Sequence, residues 1–314
     1  MSSRRFCTEV TSICPVSRTT YGYVPDLGGN AFLCALFAAC ALLHIGAGTY
    51  HRSWSFMVAL AGGAIMEAIG YAGRIMMHVN VWDQTAFKIQ ICCLVLAPSF
   101  IAAGIYLSLK HIVLYVGPES SRLKPRLYTW IFIGFDVFSI IVQAGGGGIA
   151  AAAGPENRKL LNTGNNLIIT GIAIQVVTMA VCGLLALDYM LRHKKAKKNG
   201  LVASKNQGGY SNGPIVNYKK FLVFVGVEIF AYVVVLIRCI YRLPEMAGGW
   251  SNPLMRNEKE FLILDGMMIA LAVLAFTVFH PGWWFPPMGG RWQRQRSAMD
   301  AGSDSPVSEQ EVKA

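Results

Sequence analysis

The sequence predicts an all-α integral membrane protein, a seven-transmembrane-helix bundle with its amino terminus outside and its carboxyl terminus cytoplasmic. Three observations carry that expectation. Of 314 residues, 54% are hydrophobic and only 14% charged, a balance outside the range of water-soluble domains. Seven apolar runs reach the ~20 residues that a helix needs to cross hydrocarbon. The seven tryptophans, Trp54, Trp82, Trp130, Trp250, Trp283, Trp284 and Trp292, all fall at or just beyond the ends of those runs, where headgroups favour an amphipathic ring.

The runs are centred on 31–50, 54–77, 87–109, 127–150, 166–190, 221–241 and 260–279. The first follows a mostly polar stretch and is too long for a signal-peptide core, so it is expected to insert as its own signal. The third is the cleanest, with twenty-one uncharged residues between Lys88 and Lys110. Pro98 lies midway along it, where a proline kinks a helix and frees a carbonyl. The sixth and seventh are the shortest and are interrupted by Glu228 and Asp265. The domain organisation expected is 1–29 as an extracellular amino-terminal segment, 30–281 as the membrane domain, and 282–314 as a disordered cytoplasmic tail. Of eight cysteines, six fall in apolar runs and only Cys7 and Cys14 are placed to pair.

Orientation follows from Lys and Arg. With the amino terminus outside, seventeen fall on the cytoplasmic side and nine on the outer side, with Arg74 and Arg238 inside spans; positive charge is retained inside. The net charge of +11 therefore points to an anionic leaflet and not to nucleic acid. The basic connection at 193–218 reads as a flexible linker held near anionic lipid.

An ionisable side chain at bilayer depth costs roughly 2.5–3.5 kcal/mol, so each is expected to face the bundle interior with a partner or a task. Glu67 and Arg74 are two turns apart on one helical face with Gly70 and Tyr71 between them, and Asp136, Ser139 and Gln143 form a second stripe. Gln175 sits midway along the fifth span, Glu228 and Arg238 on the sixth, and Asp265 opens the seventh. The bland alternative is satisfied interhelical pairing, for example Arg74 or Arg238 with Asp265, worth about 1 kcal/mol each. Four acids (Glu67, Asp136, Glu228, Asp265) face two arginines (Arg74, Arg238), so a polar chamber opening outward has carboxylates to spare for a cationic amphiphile or a proton. Gly145, Gly146, Gly147 and Gly148 admit three readings: a close-packing patch, unwound backbone lining a cavity, or a plain helix end.

No phosphate-binding loop, H-E-x-x-H or Ser-His-Asp arrangement occurs in the sequence, so neither a nucleotide-driven pump nor an enzyme is expected. No cofactor or metal is called for: His44 reads as a packed histidine, His280 and Pro281 as a helix stop, and adjacent Cys92 and Cys93 lack a ligand spacing.

Several stretches together resemble one family. They are Tyr21-Gly22-Tyr23 with Pro25, Glu67-x-x-Gly70-Tyr71-x-x-Arg74, Ala97-Pro98-x-Phe100 with Tyr106, and Asp136-x-x-Ser139-x-x-x-Gln143-x-Gly145-Gly146-Gly147. Further along come Gly171-x-x-x-Gln175, Arg238-x-x-Tyr241-Arg242-x-x-Glu245, Glu258 with Asp265, and His280-Pro281. Over roughly 20–285 the chain is similar to the fungal lipid-translocating exporters, seven-span proteins of the plasma membrane and related membranes. That family is associated with resistance to aminocholesterol and sphingoid long-chain bases, and some members handle porphyrins. The resemblance implies export of a lipid-like amphiphile or protection against such compounds, and the missing phosphate-binding loop makes that export ATP-independent; the substrate pathway expected is Glu67, Tyr71, Arg74, Asp136, Ser139, Gln143, Gln175, Arg238, Arg242, Glu245 and Asp265. The alternative is a seven-span receptor or membrane-stress sensor that binds without transporting. The plasma membrane is the expected location, with a vacuolar or other internal membrane as the alternative. The sequence names no protein partner.

Overall fold

The computed structural model describes residues 7–117, 121–122, 125–153, 157–198, 218–248 and 252–290. Among them it contains seven helices long and apolar enough to span a membrane and no strand. These are α1 (Leu27–His51), α2 (Trp54–Val79), α3 (Gln84–Val116), α4 (Pro125–Ala152), α5 (Arg158–Lys198), α6 (Tyr218–Ala247) and α7 (258–278). A short α8 (Pro281–Trp284) follows. Each helix outruns its apolar stretch at one end or both. Hydropathy marks only the length in hydrocarbon, while intrahelical hydrogen bonding continues into polar sequence; α5, with 41 residues, is ~60 Å long.

The helices pack in chain order. Each lies against its sequence neighbour, α7 closes the ring onto α1, and α3 crosses the middle to reach α6. Leu42, Trp130, Ile141, Leu184 and Val233 point out of the bundle, as hydrocarbon requires, and the polar groups turn in. The helix ends have chemical causes. Asp26 caps α1 by accepting from Gly29 N at 2.6 Å, and Asp83 caps α3 through Thr85 N at 2.8 Å, each satisfying amides that lack intrahelical partners. α1 turns into α2 at Arg52, which sits in the left-handed region at φ 55.

α3 stays helical through Pro98. α7 is less regular: after Glu258–Glu260 it runs as a π-helix over Phe261–Met267 before returning to α-helix at Met268. Such wide turns are rare and frequent at functional sites, and this one carries Asp265.

Residues 7–26 form a cap over one end of the bundle, called here the amino-terminal face. Cys7 and Cys14 are joined by a disulfide, Trp82 Nε1 donates to Cys14 O at 3.3 Å, and Asn80 Nδ2 donates to Thr8 O at 2.8 Å. Closing a loop this short is worth about 2.5 kcal/mol on the chain-entropy account. Cys7→Ser with Cys14→Ser is therefore expected to speed amide exchange across 8–24 by up to about seventyfold, the equivalent of that energy, and to leave the spans unchanged. Equal protection with and without the bridge would show that the staple does not hold the cap.

At the opposite face, residues 282–290, expected as the start of a disordered tail, are folded. Phe285 is fully buried and stacks on Phe224 at 5.5 Å, because Pro281, Pro286 and Pro287 turn the aromatic run back under the bundle. The remainder of the tail with Trp292, the linker 199–217 and Trp250 lie outside the described residues.

Candidate functional site

The interior polar groups fall into three clusters, strung from the amino-terminal face to the opposite one. The first is built on Arg74, which is fully buried. Its Nε donates to Asn30 Oδ1 at 2.7 Å, and one terminal nitrogen reaches Glu258 Oε1 at 2.7 Å and the Tyr23 hydroxyl at 3.1 Å. Phe261 lies under the guanidinium at 4.3 Å, a cation–π contact. Glu258 also accepts from Asp26 N at 2.9 Å, so the cap, α1, α2 and α7 meet at one ion pair. Burial pushes the Tyr23 phenol up to about 12, so it meets Arg74 as a neutral hydroxyl. Arg74 is thus partnered by Glu258 and not by Asp265.

Asp265 belongs to the second cluster, where its Oδ1 lies 3.0 Å from Arg238 Nε with both side chains buried. Arg238 also donates to the carbonyl of Leu94. That carbonyl is the one Pro98 frees, four residues on and without an N–H to give, so an α6 guanidinium completes a bond that α3 cannot make for itself. One turn beyond, Arg242 pairs with Glu245 at 2.7 Å, and Asn252 donates to the Glu245 carbonyl. Glu67 is fully buried and within electrostatic reach of Arg238, Arg242 and Asp265. Tyr71 stacks on Phe37 at 5.8 Å, and its hydroxyl rests against Gly266, where a Cβ would come within 2.4 Å of it; only glycine lets the ring reach that depth.

Beside this cluster lies a cleft with room for about one water molecule, lined by Gln143, Gln175, Arg238 and Arg242 with Val95, Ile172 and Cys239. Gln175 donates to Ser99 Oγ at 2.9 Å. Gln143 is buried with neither amide atom hydrogen-bonded among the described residues, so it offers the cleft a donor and an acceptor. Among the described residues, packing of α3 to α6 narrows the outward-opening chamber expected from the sequence to this cleft, and the cap lies across the end.

In the third cluster the Tyr106 hydroxyl faces Asp136, and the Ser108 hydroxyl bonds Glu228 at 2.7 Å. Cys182 lies within electrostatic reach of both acids. Ser139 does not join it: its hydroxyl donates to the Asp136 carbonyl at 2.7 Å within its own helix. Cys239 lies within reach of Arg238, Asp265 and Asp136, and Tyr71 of Arg74, Glu67 and Asp265. The three clusters are thus coupled electrostatically, a polar file through an apolar bundle.

The glycine run stays helical, since α4 continues to Ala152, and the helix-break readings fall. Gly146 alone makes a close contact: a Cβ there would come within 2.7 Å of Gly164 O, whereas at Gly145, Gly147 and Gly148 it would meet nothing within 4 Å. Four glycines cannot unwind a helix whose amides keep their own partners and whose one buried glycine rests against α5.

Sequence reasoning missed Asn30, Ser99 and Ser108, short polar residues in apolar runs that carry no charge to draw attention. His44 packs as expected, with Nε2 3.0 Å from Thr277 Oγ1. No group of three or more His, Cys, Asp or Glu among the described residues could hold a metal ion.

A family model described as RTA1 like protein matches residues 60–288. A sphingoid long-chain base transporter, RSB1, of Saccharomyces cerevisiae is 32% identical over 289 residues, which is 84% of this chain and 74% of that protein. Two other Saccharomyces cerevisiae proteins align over less: protoporphyrin uptake protein 1 is 38% identical over 116 residues, 37% of each chain. Protein RTM1 is 33% identical over 134 residues, 42% of each chain. No solved structure matches.

Proposed function

The chain belongs to the RTA1 like protein family, and from that membership and its interior we propose that it is an ATP-independent transporter of a lipid-like amphiphile of the sphingoid base class. The observation that carries this reading is the polar file. A long-chain base has an ammonium and hydroxyl headgroup on a hydrocarbon tail. Acids and neutral hydrogen-bonding groups suit the headgroup, while helices open to lipid on their outer faces leave the tail in hydrocarbon. Gln143, Gln175 and the Tyr106–Asp136 pair are the groups it would meet between the outer and inner acids. With the cap lying across one end, the conformation suits an occluded step of a transport cycle. The Lys and Arg bias supports the cap facing outward, and release of such bases from a cell supports a role in resistance to them.

The test is flux of labelled long-chain base into liposomes carrying the purified full-length chain, without ATP. Saturable flux above protein-free vesicles is expected, and Asp136→Asn is expected to lower it about tenfold, a loss of roughly 1.4 kcal/mol. The closed interior is the one feature that favours the receptor or sensor reading. Saturable binding without flux would establish that reading instead.

A further inference from the structure

The second cluster holds one acid more than its arginines can neutralise. Arg238 is engaged by Asp265 at 3.0 Å and Arg242 by Glu245 at 2.7 Å. Glu67, fully buried near the middle of α2, has neither carboxyl oxygen hydrogen-bonded among the described residues. A second, independent vacancy adjoins it. The Tyr71 hydroxyl, one turn along the same helix and also fully buried, has no hydrogen-bond partner among the described residues, although both Glu67 and Asp265 lie within its electrostatic reach.

The titratable and charged groups within electrostatic reach of Glu67 come from four elements: Tyr71 on α2, Cys93 on α3, Arg238 and Arg242 on α6, and Asp265 on α7. With every acid ionised, Glu67, Asp265 and Glu245 outnumber the two guanidiniums. An uncompensated charge in such a place costs several kcal/mol even after relaxation. A single cation bound at Glu67 cancels it. A metal ion needs several oxygen ligands converging on it, and no group of three or more His, Cys, Asp or Glu among the described residues could hold one. A proton needs only one acceptor and no space.

We propose that Glu67, with Asp265 and the Tyr71 hydroxyl around it, is a proton-binding site that exchanges its proton for the ammonium of the substrate, making transport a one-for-one antiport. This rests on the transport reading above. In one half of the cycle the Glu67 carboxyl O–H breaks, its proton leaves to water, and the carboxylate receives the substrate ammonium. In the other half the ammonium departs on the opposite side and a proton from that side reforms the O–H. One positive charge moves each way, so no net charge crosses. Tyr71 donates to the carboxylate in the substrate-bound form and accepts from the acid in the protonated form, a role that a hydroxyl left without a partner is free to take.

The experiment uses the full chain in proteoliposomes, with labelled long-chain base, a trapped pH-sensitive dye, and protein-free vesicles to subtract what the free amine does alone. One-for-one exchange lets a one-unit pH gradient sustain about tenfold accumulation of base on the acid side, and the dye should report proton counterflow in step with the substrate. In Glu67→Gln, which loses the proton and the carboxylate that receives the ammonium together, acceleration by the gradient and the dye signal should both disappear, and exchange of labelled for unlabelled base should slow as well. Tyr71→Phe should retain coupling at lower rate, which keeps the assay informative if the glutamine variant does not fold. Wild-type flux that is equal with and without the gradient would overturn the antiport and leave transport standing, as would full gradient response in Glu67→Gln. Absence of any wild-type flux would instead remove the transport reading on which the antiport rests.

Discussion

Replacing Arg238 by methionine is expected to destabilise the folded protein by about 3–5 kcal/mol, and replacing its partner as well, in Arg238→Met with Asp265→Leu, to recover most of that loss. Both side chains are buried, at 3% and 0% exposure. Removing one member of a buried ion pair strands the other charge, whereas removing both strands none. The single variant carries a second penalty. Leu94 O accepts from Arg238 and, with Pro98 four residues on, has no helical donor to fall back on; an unsatisfied buried carbonyl costs about 1–3 kcal/mol. Adding Pro98→Ala to the double variant supplies that donor and is expected to stabilise it further. In the wild-type background the same change makes the new N–H compete with Arg238. Thermal unfolding in detergent, followed by tryptophan fluorescence, checks the order: the single variant lowest, the double above it, the triple higher again. A double variant no more stable than the single would show that Asp265 is not held by Arg238.

That cluster also marks where sequence reading stops. Pro98 could be recognised as freeing a carbonyl, because proline's missing N–H is a property of the residue. Which group would take that carbonyl depended on how α3 meets α6, and no local periodicity encodes that. The same limit separated Glu67 from Arg74. Their seven-residue spacing placed them on one helical face, and both are buried. A face two turns long meets different neighbours at its two ends, however. Arg74 reaches the cap and Glu258, while Glu67 looks toward α6 and α7. A shared face therefore predicted shared burial and not shared partners.

The seven spans were legible because hydrocarbon imposes both length and apolarity on each, and those are sums over a window. Their ends were not, since a helix continues wherever its amides find carbonyls, as α5 does far past its apolar run. The π-helical segment was invisible for a related reason: Phe261–Met267 has the composition of any apolar helix, and the wider winding that carries Asp265 shows only in the backbone. The cap was half legible. Cys7 and Cys14 stood out as the cysteines free of apolar runs, and Tyr21 and Tyr23 as part of a recurring motif, but that the two tyrosines carry the cap onto Arg74 depended on the chain folding back over the bundle, which no local pattern encodes.

Gly164→Leu is expected to be as costly as the loss of Arg238, roughly 3 kcal/mol or more, while Gly145→Leu and Gly148→Leu change stability by less than about 1 kcal/mol. A Cβ at Gly164 would lie 2.6 Å from Ala150 N and from Gly146 O, and one at Gly146 would lie 2.8 Å from Ile168 N. The obstructing atoms are backbone, which cannot rotate aside, so even one added carbon must drive α4 and α5 apart. The cost does not stay local. Two turns further along the same seam, Gly171 admits Gln143, whose Cγ would be 2.4 Å from an added Cβ, and Gln143 with Gln175 lines the cleft on which the transport reading relies. Widening the seam therefore shifts Gln143 within the cleft lining, and Gly164→Leu should lose long-chain base flux along with stability. Gly171→Ala separates the two effects. It adds one carbon where four go in at Gly164, and presses on Gln143 and on Ser139 O, 2.8 Å from the new Cβ, two turns from the Gly146–Gly164 crossing, so flux should fall about tenfold or more while the unfolding temperature shifts less than in Gly164→Leu. Normal flux through Gly171→Ala, in a protein that remains folded, would mean that the position of Gln143 is immaterial to the substrate and that the route runs elsewhere in the bundle.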